Sequence, residues 1–299
     1  MEKYHITYEE VYSWVVQSCT RISDDALACM EERIAQEKNP GAKSMLEAMV
    51  ENVSLAIEKD KPVCQSPGYP TVYIRFGDTK GVDLLSQFLP AALVEATGNG
   101  YLRPSIVHPL SRHNPGNNKG KGVPNIEYRF VADLPYIEMI ISFKGCGAEL
   151  GNVYKTMTVA QLRPDGSGLK ELVYETVINA GGMPCPPISL GIGLGGQMDV
   201  ACKLSREAVS TRDWRDHNDD PELDRLEEEL LSHINELGIG PAGIGGSTSC
   251  LAVKIGMVDT HTAICPVAIN FHCWVARRMG VRIYPDGERK FLFQKGDIQ

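Results

Sequence analysis

Nine cysteines at positions 19, 29, 64, 146, 185, 202, 250, 265 and 273 constrain this chain more than any other feature. An odd total argues against a complete disulfide framework. No two of them form a C-x-x-C pair, so the local signatures of a zinc ribbon, a thioredoxin-type site and a ferredoxin-type cluster are all missing. In a reducing compartment such thiols are buried small hydrophobes, or else ligands and nucleophiles. A metal site here has to be assembled from cysteines far apart in sequence, and their spacing alone does not identify which.

The chain has 299 residues, with 30 basic and 38 acidic side chains and a net charge of −8. That balance disfavours a protein that works by releasing counterions from nucleic-acid phosphates. No apolar run approaches the ~20 residues of a membrane span. The N-terminus lacks the basic-then-apolar plan of a secretion signal. The expectation is a cytoplasmic globular protein.

The apolar spacing predicts helices in the first sixty residues, on Val11, Trp14, Val15 and Cys19 and again on Leu46, Met49, Val53 and Ala56. Strands are expected over 71–76 and 137–143. A helix over 81–98 is interrupted by Pro90, and another over 171–180 is stopped by Gly181-Gly182. A short strand over 188–190 leads into a glycine run and then a helix over 197–210. An acidic amphipathic helix over 221–237 is closed by Gly238. The last eighty residues read as short strands around a site. With no repeat and no linker, the expected architecture is α/β, one compact unit over residues 1–299. It has mixed sheets flanked by helices, and residues 1–60 form a helical N-terminal section.

Two stretches match G-x-G-x-x-G, at Gly191/Gly193/Gly196 and Gly238/Gly240/Gly243. The first lies between a strand and a helix, as a dinucleotide site requires, but the acidic residue that should end a second strand falls in a polar stretch after a helix. The second follows a helix and contains Pro241. A nucleotide-binding α/β enzyme is therefore the weaker reading. A third cluster, Lys144-Gly-Cys-Gly147, also brings backbone N–H groups within reach of an anion. Each cluster stands near a cysteine, which favours a shared anionic site over three unrelated turns.

In order along the chain come Lys61-Pro-Val-Cys64-Gln65, Arg103-x-Ser105, Lys144-Gly-Cys-Gly147, Cys185-Pro-Pro187, Leu237-Gly-Ile-Gly-Pro241, His261 and Cys273-Trp-x-x-Arg277-Arg278. This ordered set, from about residue 10 to 285, resembles the α subunit of the iron–sulfur hydro-lyases, comprising class I fumarase and L(+)-tartrate dehydratase. The resemblance implies a 4Fe-4S cluster on Cys64, Cys185 and Cys273, with the other six cysteines structural or at most close to the site. It implies hydration or dehydration of a small dicarboxylate, fumarate to L-malate first, with L(+)-tartrate or a substituted fumarate as alternatives. A non-catalytic iron–sulfur or zinc protein is the reading from another class.

On the same resemblance Arg103, Gln65, Lys144 and Gly147 bind substrate and His261 is catalytic, since imidazole moves protons near pH 7. His272 is structural, and Arg277 and Arg278 bind a partner or are solvated. The family usually has Asp-Thr-Gly where this chain has Ser66-Pro67-Gly68, and Cys146 and Ala148 also depart from its pattern. A separate β subunit, in an α2β2 heterotetramer, is expected to supply the proton-abstracting group.

Overall fold

A computed structural model describes residues 4–293. Along the chain the elements are α1 (Tyr8–Thr20), α2 (Asp24–Gln36), α3 (Pro40–Glu58), β1 (Tyr69–Phe76), α4 (Val82–Gly98), β2 (Asn125–Phe130), β3 (Ile137–Lys144), α5 (Cys146–Leu150) and β4 (Val153–Thr158). Then follow α6 (Val159–Leu162), α7 (Ser167–Ala180), β5 (Ile188–Gly196), α8 (Met198–Thr211), α9 (Pro221–Glu236), β6 (Cys250–Thr260), β7 (Ile264–His272), β8 (Arg278–Ile283) and β9 (Arg289–Leu292). The α/β class, the mixed sheets and the helical N-terminal section are as expected.

Contacts group the chain into two compact units. Of the described residues, one comprises 4–24, 51–145 and 275–293, the other 25–50 and 146–274. No linker marks them because each is built from discontinuous segments.

The first unit holds a five-stranded sheet in the order β2-β1-β3-β8-β9, parallel only between β1 and β2. Period-two alternation turns Val72 and Ile74 of β1 toward one face. There they join Ile137, Met139 and Ile141 of β3 in a core with Val11, Trp14 and Val15 of α1 and Leu85, Leu89 and Leu93 of α4. Thr7 caps α1 in a reciprocal arrangement with Glu10, satisfying end N–H groups the helix itself cannot. Pro90 does not interrupt α4, which runs through it. Burial of Leu85, Leu89, Ala92 and Leu93 on either side outweighs the ~3 kcal/mol a proline costs inside a helix.

The second unit holds a four-stranded sheet in the order β4-β7-β5-β6, with β5 parallel to β6 and antiparallel to β7. Helices cover both faces. Ile188, Leu190, Ile192 and Leu194 of β5 face Leu172 and Val173 of α7 and Leu230 and Ile234 of α9. The residues between them are small, and α8 lies on that face.

The first glycine run is therefore strand, not a phosphate loop. A Cβ on Gly191 would sit inside the contact radius of the Ser205 carbonyl oxygen, and one on Gly193 would collide with that of Ala201. These glycines let a helix backbone rest directly on a strand backbone.

Gly191→Ala should lower unfolding stability by about 2–3 kcal/mol through overpacking. Gly256→Ala, whose added carbon meets Leu204 at an ordinary 3.5 Å, should change it by less than about 0.5 kcal/mol. Urea denaturation followed by circular dichroism measures both.

Candidate functional site

Within the first unit, Cys64 sits on a loop between α3 and β1 that is tied down from several sides. The Val63 N–H donates to the Cys19 carbonyl at the end of α1 (3.1 Å), and Asn52 of α3 donates to the Val63 carbonyl (2.9 Å). Gly68, at φ 81°, lies so close to the Lys144 carbonyl that a Cβ there would collide with it. The Cys64 sulfur is half-buried and accepts a bond from the Ser66 N–H (3.5 Å), while its thiol faces Gln65 Oε1 (3.4 Å). An N–H aimed at sulfur is the kind of outer-shell contact that stabilises a thiolate ligand. Ser66, the departure from the family pattern, supplies it from its backbone, which any residue but proline could do there.

Arg103 is exposed on the long segment between α4 and β2. Buried Asn118 organises that segment. Its Oδ1 accepts from the N–H groups of Ser105 (2.8 Å) and Ile106 (3.2 Å), and its Nδ2 donates to the Arg103 carbonyl (3.0 Å) and Thr97 Oγ1 (2.9 Å). Sequence reasoning missed Asn118, because a loop asparagine reads as an ordinary turn residue. Lys144 ends β3 and is buried, 4% exposed.

Arg277 and Arg278 are neither solvated nor placed to meet a partner. They are 1% and 2% exposed. The Arg277 guanidinium bonds the carbonyls of Ser66 (2.9 Å), Pro67 (3.3 Å) and Cys64 (3.2 Å). Arg278 bonds Ser23 Oγ (3.1 Å) and lies 4.6 Å from the centre of the Phe293 ring. A charge count alone puts arginines outside; three carbonyl acceptors arriving from a remote loop reverse that.

Within the second unit, Cys185 and Cys273 are brought together across 88 residues of sequence by one backbone bond, from the Trp274 N–H to the Cys185 carbonyl (3.3 Å). Cys185 is exposed and held at φ 57°, a region that L side chains enter only when their surroundings impose it. Cys273 follows the end of β7 and is half-buried.

Gly147, in the short helix α5, abuts the Met183 carbonyl so closely that a side chain there would collide with it. Behind Cys185 lies the second glycine-rich stretch, with the Ala242 N–H donating to the Pro186 carbonyl (2.8 Å). Glu37, only 6% exposed, anchors the end of that stretch. It accepts from the Ser247 N–H (2.9 Å), Ser247 Oγ (3.0 Å), Thr248 Oγ1 (3.0 Å) and the Asn39 N–H (3.0 Å).

His261 does not join the cysteine pair. It is exposed in the turn between β6 and β7, its Nδ1 accepting from the Ala263 N–H (3.2 Å). Twelve residues of separation span the whole of β7, roughly 27 Å of extended chain, so His261 and Cys273 stand at opposite ends of that strand. At the His261 end is a cleft of about 610 Å³ lined by Lys170, Arg225, Glu229, Met257, Asp259 and Cys265 among others, and not by Cys185 or Cys273. His272 is fully buried against Trp214, with ring centres 5.7 Å apart, in line with a structural role.

Of the remaining cysteines, Cys146 is exposed at the start of α5, and the other five differ in kind. Burial pushes the thiols of Cys19, Cys29 and Cys250 up to about 12. It also raises those of Cys202 and Cys265. Such groups stay protonated and behave as small hydrophobes. Among the described residues, the one grouping of three or more His, Cys, Asp or Glu side chains whose ligand atoms all lie within 4.8 Å of one another is His217, Asp224 and Glu228, largely exposed on and before α9; the cysteines form none.

Comparison with known proteins fits these observations. The sequence matches the family described as Fumarate hydratase (Fumerase) over residues 8–282. It is 38% identical over 273 residues to a putative L(+)-tartrate dehydratase subunit alpha of Methanocaldococcus jannaschii, covering 89% of this chain and 94% of that one. It is 30% identical over 299 residues to a putative fumarate hydratase class I of Geobacillus stearothermophilus, covering 97% of this chain and 58% of that one. To the L(+)-tartrate dehydratase subunit alpha of Escherichia coli it is 28% identical, covering 93% and 91%.

The chain belongs to the fumarate hydratase family. It is a hydro-lyase. No described helix is long and apolar enough to cross a membrane.

Glu37 ties the wall behind Cys185 to pH. Burial alone would raise its pKa, but the hydrogen bonds from Asn39, Ser247 and Thr248 outweigh burial and hold it below its ordinary 4.5. A folded-state pKa below the unfolded one means the stabilisation is complete above about 4.5 and is lost as pH falls through the folded value. Glu37→Gln should therefore cost about 2 kcal/mol at pH 7. The gap from the native chain should close steadily below about pH 4.5, as read from urea midpoints across pH.

Proposed function

We propose that the chain is the cluster-binding α subunit of a hydro-lyase that reversibly hydrates fumarate to L-malate. In this reading Cys64, Cys185 and Cys273 hold a 4Fe-4S cluster. A separate β subunit completes an α2β2 assembly in the reducing cytoplasm. The observation that supports the cofactor reading is the Trp274-to-Cys185 bond, which joins the backbone at Cys185 to the residue after Cys273.

The donor set fits the group. Thiolates are the ligands iron–sulfur centres prefer. These three cysteines are half-buried or exposed, as are Cys146, Cys202 and Cys265, whereas Cys19, Cys29 and Cys250 are buried. Three thiolates leave one iron of a cubane without a protein ligand, and such an iron supplies a Lewis acid for water or a substrate hydroxyl.

This chain's own residues have the task of holding the dicarboxylate. Arg103 presents an exposed guanidinium whose fork matches a carboxylate, on a segment that Asn118 fixes in place. Gln65, next to Cys64, offers an amide donor, and Lys144 adds positive charge at the end of β3. Gly147 offers a backbone N–H. His261, at the far end of β7 from Cys273, takes no step at the cysteines of its own chain. Removal of the carbon-bound proton is assigned to the β subunit. L(+)-tartrate is the second candidate substrate, favoured by the names of the M. jannaschii and E. coli relatives.

The test is co-expression with the β partner, anaerobic purification and a substrate panel. Cys64→Ser, Cys185→Ser and Cys273→Ser should each lower bound iron and acid-labile sulfide, and cut turnover at least about 100-fold, the order expected when a site loses its Lewis acid. Cys202→Ser, on α8, should leave both unchanged. Full cofactor and turnover in all three site variants would overturn the assignment. The ratio of kcat/KM for fumarate hydration to that for tartrate dehydration decides the substrate.

A further inference from the structure

Arg277 poses an electrostatic problem within the first unit. Its side chain is among the largest fully buried groups of the protein. Among the described residues it makes no ion pair, and its Nε has no hydrogen-bond acceptor. Burying a guanidinium is costly unless nearby negative charge or well-aimed dipoles compensate it. Here compensation comes from three carbonyl oxygens, all on one short loop: Cys64, Ser66 and Pro67. Nη1 takes Ser66 and Pro67, and Nη2 takes Cys64.

A planar fork that binds three carbonyls spanning four residues fixes the peptide planes on both sides of Gln65. The direction of the Cys64 side chain follows from those planes. The other end of the device is equally firm, since the Arg277 carbonyl accepts from the Phe143 N–H of β3 (3.0 Å). Neighbouring Arg278, just as buried, reaches Ser23 and Phe293 instead.

We propose that Arg277 is the positioning residue for the Cys64 ligand. Its guanidinium clasps the loop so that the sulfur is presented in one orientation, and its buried charge is balanced in the loaded protein by the anionic thiolate-ligated centre. This rests on the cofactor reading given above. Lysine cannot replace it, because an ammonium carries the charge but lacks the rigid fork that holds several carbonyls at fixed angles.

The experiment uses the anaerobically purified, loaded complex with its β partner. It measures the rate of iron loss to a ferrous chelator and the midpoint potential of the centre by titration monitored with EPR. Arg277→Lys should fold as the native chain does by circular dichroism and release iron at least ten-fold faster. Arg278→Lys should release it within two-fold of the native rate. Arg277→Met, where it folds, should also show a lower midpoint potential, because removing a nearby positive charge disfavours the more negative reduced state.

A folded Arg277→Lys variant with the native rate of iron loss would overturn the proposal. So would equal acceleration in Arg277→Lys and Arg278→Lys, which would mark a general loss of packing. Cys64→Ser separates the two layers. If it keeps a full complement of iron, the cofactor reading itself fails. If it loses the centre while Arg277→Lys behaves as native, only the role of Arg277 falls.

Discussion

Backbone resting on backbone, with no side chain between, is the contact on which the second unit and the cysteine loops depend. In the second unit α8 lies against β5 because Gly191 and Gly193 leave room for the carbonyls of Ser205 and Ala201. Near Cys185 the same contact recurs where Gly147 meets the Met183 carbonyl, and in the first unit Gly68 meets that of Lys144. Each approach removes side-chain freedom from the joint and leaves hydrogen bonds and hard repulsion to set the geometry. A loop built this way stays where it is put, which is the property that the proposed ligands, remote from one another in sequence, would need.

Burial then sets the core cysteines apart. Cys19 and Cys250 are surrounded by core side chains, and the cost of placing a charge there pushes their thiols far above neutrality. A nearby guanidinium does not rescue Cys19, since burial is the larger effect. Cys64 and Cys185 stand on loops and Cys273 packs at the edge of the second core, and all three are half-buried or exposed.

Helix and strand positions were legible in the sequence wherever apolar periodicity was strong, as in α1, α3, β3 and α9. The sorting of glycines was not. Gly191-x-Gly193 looks the same in one dimension whether it cradles a phosphate or admits a helix, and only the presence of α8 on that face decides. Arg277 was misread for a related reason, because burial of a charge depends on acceptors delivered by residues about 210 positions away. The division into two units left no trace, since its boundaries fall inside helix α3 and beside the motif residues instead of in polar linkers. His261 was read as catalytic from the family resemblance, and only the structure shows that the whole of β7 lies between it and Cys273.

The proposed substrate is a dianion, whereas the chain carries a net charge of −8. The opposition is weaker than it looks. At physiological ionic strength charges more than about 8 Å away are largely screened, so contact partners decide binding. Several of the acids are already engaged. Glu138 lies between Arg75 (3.0 Å) and Arg282 (2.7 Å), and Glu227 bonds Arg212 (2.5 Å). In the first unit, by contrast, Arg103 makes no ion pair among the described residues. A guanidinium already locked to an internal carboxylate would have to break that pair before gripping a substrate. One that is held only through its backbone, as Asn118 holds Arg103, keeps its whole fork for an incoming carboxylate, and the overall acidity of the chain does not prevent the encounter.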